Sequence, residues 1–144
     1  MPAADSPEAD RPDYEVLEVA GYRLLRRIGE GSMSSVYVSY DVATGTPVAV
    51  KLLADHLAHS REFVNRFYRE ARLCRLLSHP NLVRGQAAGF DPATGKHYLV
   101  LELIDGPSAQ AALAIHGRFS IGAAVQVGID IARALEFLHS RHYV

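Results

Sequence analysis

Cysteine is almost missing from this chain: Cys74 stands alone. No internal disulfide can form, a reducing compartment is implied, and the cytoplasm is the expected location. By itself Cys74 reads as a small buried apolar residue. No apolar run approaches the roughly 18 residues that span a bilayer, and no basic-then-apolar leader opens the sequence. Charge of one sign is missing too, since the net charge is −1 and Lys and Arg are dispersed among acids. That gives no expectation of nucleic acid or an acidic membrane as partner. Repeats, low-complexity segments, a nucleophile elbow and a Ser-His-Asp pattern are absent. His56 with His59, and His139 with His142, are three apart, but neither pair has a third ligand at metal spacing, so no metal site is expected.

The 144 residues are 49% apolar and 22% charged. A single domain of that size hides roughly 68 to 70% of its unfolded surface. Met1 to Asp13 holds three prolines and four acids and reads as a disordered tail. Tyr14 to Ala20 is expected to pack loosely, so residues 1–20 form a tail and order begins at Gly21. Strands are expected at Tyr22 to Ile28, Val36 to Tyr40, Val48 to Leu53, Leu82 to Phe90 and His97 to Leu103, with polar turns between them.

One stretch organises the rest. Ile28-Gly29-Glu30-Gly31-Ser32-Met33-Ser34-Ser35-Val36 places two glycines one residue apart, where no Cβ blocks a ligand and positive φ carries no penalty. Alone, this describes an ordinary tight hairpin as well as a phosphate flap. The residues after it alternate as a strand rather than opening a helix, which disfavours a dinucleotide fold. A lysine then stands in the apolar strand Val48-Ala49-Val50-Lys51, and an ammonium beside a glycine flap suits phosphate.

Ser60 to Leu77 is helical. With Phe63 at zero on a helical wheel, Phe67 falls at about 40°, Ala71 at about 80°, Cys74 at about 20° and Glu70 at about −20°. Glu70 is therefore expected on the buried face, where a carboxylate needs a cation, and Lys51 is the obvious one. A glutamate at the helix edge reaching water is the bland reading. His79-Pro80-Asn81 ends the helix. Ser108 caps a short helix closed by Gly117, and Ser120 caps a longer one to about Ser140. On the longer helix Ile121, Val125, Gly128, Ala132 and Leu135 share a face.

Gly29, Gly31 and Val36, followed by Val48 to Lys51, resemble the glycine-rich loop and lysine strand of protein kinases, in the manner of bacterial serine/threonine kinases. Ser34 departs from the family's third glycine. The resemblance implies an α+β fold: an amino-terminal lobe and hinge over 21–106, with a five-stranded antiparallel sheet and one main helix, and the start of a helical second lobe over 107–144. It implies that Lys51, paired with Glu70, holds the ATP phosphates beneath a flap of Gly29, Glu30, Gly31, Ser32, Met33 and Ser34. It also implies an adenine pocket walled by Ile28, Val36, Ala49 and Val83, with Leu101 as gatekeeper, the carbonyl of Glu102 and the N–H of Ile104 meeting the base and Ser108 near the ribose. Taken without the resemblance, the apolar ones are core residues.

The family needs a catalytic-loop aspartate and two Mg²⁺ ligands that are not among these residues. The expectation is a domain cut short, inactive alone, whose longer parent phosphorylates protein Ser or Thr hydroxyls with Mg²⁺ and ATP; a non-catalytic kinase-like module is the alternative. The inner face of the 120–140 helix expects a protein partner or the missing second lobe. Three or four large side chains left uncovered there forgo about 5 to 12 kcal/mol of burial, comparable with the roughly 5 to 15 kcal/mol margin of a whole domain.

Overall fold

The computed structural model describes residues 17–143. The expected tail over 1–16 and the last residue lie outside the described residues. The elements run β1 (Glu18–Val19), β2 (Tyr22–Glu30), β3 (Ser34–Asp41), β4 (Pro47–Leu53), a 3₁₀ turn (Asp55–Leu57), α1 (Arg61–Leu76), β5 (Gly85–Asp91), β6 (Lys96–Glu102), α2 (Ala109–His116) and α3 (Ile121–Ser140). All the strands form one antiparallel sheet in the order β1-β2-β3-β4-β6-β5. Among the described residues no helix is long and apolar enough to cross a membrane.

Side chains alternate across a strand, and β4 shows what that does here. Val48, Val50 and Leu52 fall on one face and pack with Val19, Leu24 and Val100. Leu53 falls on the other, where it meets Leu99 and the α1 residues Phe67 and Ala71. Ala49 and Lys51 share that second face by the same period. The sheet thus carries two cores, and α1 covers the one on the lysine side.

Three expectations need correction. The sheet has six strands rather than five, because Glu18–Val19 pairs with β2. Residues 17–20 are consequently no loose tail: Val19 is fully buried. A two-residue turn, Ala20 and Gly21, both at positive φ, joins β1 to β2, which is the hairpin geometry that matches strand twist. The Ala20 N–H donates to the carboxylate of Asp91 at 3.1 Å, so the turn is held by a residue 71 positions away. The strand expected from Leu82 begins only at Gly85, since Leu82 still belongs to the turn that follows His79 and Pro80.

Gly85 is demanded by packing. A Cβ there would lie 2.9 Å from Arg75 Cγ and 3.0 Å from Cys74 Cβ, so α1 could not seat on β5. Ser108 and Ser120 cap α2 and α3 as read from the sequence, accepting from the N–H groups of Ala111 and Ala123. Gly117 closes α2 at φ 72°. On α3 only Ala134 is buried. The end of that helix touches the rest of the chain, through Phe137 stacked on His79 at 5.0 Å, while Ile121, Val125 and Leu135 stay exposed.

Candidate functional site

The flap is a hairpin between β2 and β3. Gly31 N–H donates to the Ser34 carbonyl at 2.9 Å, and Ala54 N–H fixes the tip by donating to the Met33 carbonyl. Neither Gly29 nor Gly31 has positive φ, so conformational freedom is not what calls for glycine there, contrary to expectation. A Cβ on Gly31 would meet nothing nearer than 3.7 Å. Nothing among the described residues therefore demands glycine at position 31, and what remains is its lack of a Cβ toward a ligand.

Register then lines up the site. Gly29 pairs with Val36, Val36 with Lys51, and Lys51 with Leu99. One row across four strands thus carries the flap glycine, its valine and the lysine. The next row pairs Val38 with Ala49 and Ala49 with Leu101, bringing a pocket-wall residue beside the expected gatekeeper.

The ion pair forms. Lys51 Nζ lies 2.6 Å from Glu70 Oε1. Its surroundings correct the expectation: the Lys51 side chain is 18% exposed but that of Glu70 is 47% exposed. The buried stripe of α1 centres on Phe67 and Ala71, about 80° around the helix from Glu70. Glu70 sits on the rim of the stripe, so each reading holds in part: it meets the lysine and also reaches water. One turn on, burial pushes the Cys74 thiol pKa up, and the Glu70 charge adds to the rise. Cys74 is therefore an unreactive thiol at neutral pH.

A pocket of about 310 Å³ gathers Met33, Ser34, Lys51, Leu53, Arg66, Phe67, Arg69, Glu70 and Leu73. It brings the flap tip and the ion pair together. Arg66, Arg69 and Leu73 escaped the sequence reading, although their positions four and one before and three after Glu70 place them around it on a helix. The hinge residues are not in this pocket. The side chain and N–H of Glu102 are engaged locally, Oε1 accepting the Arg84 N–H at 2.8 Å and the N–H donating to the Arg84 carbonyl; neither bond uses the Glu102 carbonyl expected to meet the base. Ile28, Val83 and Ile104 are exposed, which removes the core reading for these three. Ser108 is exposed too, its hydroxyl engaged as the α2 cap. Among the described residues no cluster of three metal-ligating side chains occurs.

A glycine flap over an ion-paired strand lysine, in an antiparallel sheet with one helix across it, defines the amino-terminal lobe of a protein kinase. The protein kinase domain profile matches residues 22–144. The chain is 37% identical to the serine/threonine-protein kinase Pkn1 of Myxococcus xanthus over 123 residues, which is 85% of this chain and 17% of that protein. It is 34% identical to the serine/threonine-protein kinase PknA of Mycobacterium tuberculosis, over 83% of this chain and 28% of that one. The crystal structure of the M. tuberculosis PknI kinase domain superposes with a TM-score of 0.71 at 26% identity, over 88% of this chain and 50% of that domain. This chain belongs to the protein kinase family, of the bacterial serine/threonine type. It spans 17% and 28% of the lengths of those two curated relatives.

Proposed function

We propose that these residues hold ATP for transfer of its γ-phosphoryl group to serine or threonine hydroxyls of a protein substrate. The observation that carries the reading is the Lys51–Glu70 pair at 2.6 Å, set in one pocket with the flap residues Met33 and Ser34. An ammonium has three donors, and Glu70 is the single side-chain acceptor found for Lys51 among the described residues. The other donors suit phosphate oxygens. Glu70 fixes the lysine's direction, and the missing Cβ at Gly31 lets backbone approach the phosphates. Ala49 and Leu101, adjacent across β4 and β6, support an adenine slot completed by Ile28, Val36, Val83, Glu102 and Ile104.

Phosphoryl transfer depends on positioning and charge neutralisation. The chain supplies the first through Lys51, Glu70 and the flap. Among the described residues no group of three metal-ligating side chains occurs, and the resemblance matches none of these residues to the family's aspartate base or Mg²⁺ ligands. The 144 residues are accordingly proposed to bind nucleotide without turning over. ATP at a hundredfold excess over Kd should stabilise the fold by about 2.7 kcal/mol, and Lys51→Met should abolish the shift in a thermal melt. Melting that ignores nucleotide in the wild type would overturn the reading. It would favour a non-catalytic kinase-like binding module. Incorporation of labelled phosphate by the purified chain would overturn the absence of turnover.

A further inference from the structure

Tyr68 stands two residues before Glu70, about 200° around α1. The buried Phe67 and Ala71 lie between them, so the two side chains flank the stripe that faces the sheet. Glu70 reaches β4 through Lys51. On the other flank the Tyr68 hydroxyl and His97 Nδ1 share a hydrogen bond at 2.9 Å, with the rings edge to face at 5.6 Å. His97 is in β6, on the same face as Leu99 by strand period. The preceding residue, Lys96, places its ammonium 2.5 and 2.7 Å from the two oxygens of Asp55, in the turn that leads into α1. The start of β6 therefore grips both the approach to α1 and its far flank.

A helix lying on a sheet by a narrow apolar stripe can roll about its axis. A tie on one flank does not stop this, whereas ties on both do. We propose that Tyr68 and His97 are positioning residues which set the roll of α1 and thereby deliver Glu70 to Lys51. The proposal deepens the nucleotide-binding reading and rests on it for one of its two readouts.

The test uses the full chain carrying Tyr68→Phe, His97→Ala, both together, or His97→Asn, which keeps an acceptor near the Nδ1 position. Amide exchange across α1 should rise in Tyr68→Phe and His97→Ala while β3 and β4 stay protected. Mg-ADP affinity should fall about three- to tenfold in each. The double variant should be no worse than either single one, and His97→Asn should recover most of the loss. Val19→Ala, buried on the opposite face of the sheet, is the control for lowered stability alone and should leave ADP affinity unchanged. Wild-type exchange across α1 in Tyr68→Phe, or losses that multiply in the double variant, would overturn the proposal. If the wild type binds no ADP, the nucleotide reading falls by itself and exchange across α1 still decides the positioning role.

Discussion

β4 and α3 are both rich in aliphatic residues, yet their fates differ. Five of the seven residues of β4 are buried, against one of the twenty in α3. The strand sits between two cores and both of its faces are covered. The less exposed apolar residues of the helix, Ala134, Phe137 and Leu138, lie toward its carboxyl end, where Phe137 meets His79. An apolar pattern states that a face wants covering and says nothing of whether the cover lies in the same residues. The part of the molecule that holds Lys51 and Glu70 is self-sufficient by this measure, and the helices after it are not.

Truncation of one apolar residue in each region should separate the two most widely. Phe67→Ala, in the core beneath α1, should cost about 3 to 5 kcal/mol, read from the urea midpoint. Val125→Ala on α3 should stay within about 0.5 kcal/mol. A cost at Val125 above about 1 kcal/mol would mean that α3 is covered in solution, and the contrast would collapse.

Adding a methyl group sharpens the same contrast by sign. Gly85→Ala drives a Cβ to within 3.0 Å of α1 and should destabilise by about 1 to 3 kcal/mol. Gly128→Ala meets nothing within 4 Å and should stabilise by about 0.5 to 1 kcal/mol, because alanine is the better helix former. Two changes of equal sign would show that one of these backbones lies elsewhere.

The smallest effect concerns pH and compares two turns of the same sequence pattern. Asp41-Val42-Ala43-Thr44-Gly45 and Asp91-Pro92-Ala93-Thr94-Gly95 each use the first carboxylate to accept the N–H two residues on. Only Asp91 also binds the distant Ala20 N–H. The Thr94 hydroxyl chiefly, with the backbone N–H groups of Ala20, Ala93 and Thr94, holds the Asp91 pKa below its usual 3.8. A depressed carboxylate adds stability that is complete above the unfolded pKa and lost as pH falls through the folded one. The gap in melting temperature between wild type and Asp91→Asn should therefore be constant above about pH 5 and close below 3.8. A gap that persisted at low pH would deny the carboxylate charge this role.

Most of the fold was legible because its signals are local. Strand alternation, the two Asp-to-Gly turns and the serine caps each act over a few residues. β1 was not legible, since two residues carry no period and Val19 is buried by partners in β2, β4 and β6. The site divides the same way. Glycine flap and lysine strand stand out in the sequence, whereas Arg66, Arg69 and Leu73 join the pocket only through the packing of α1. The wheel misplaced Glu70 because it weighed apolar residues equally; the sheet contacts only Phe67 and Ala71 deeply, which moves the buried centre and leaves Glu70 on the rim.

Sequence alone determined the order and type of the main elements, the family, and which cation and anion belong together. These follow from periodicity and from a motif whose spacing is short. Tertiary structure decided how α1 is seated: that Gly85 must admit it, that Tyr68 grips it from the far flank, and that Glu70 meets Lys51 within reach of water. The physical reason is that the roll of a helix on a sheet is fixed by contacts between residues 19 and 29 positions apart, and no local pattern encodes their geometry.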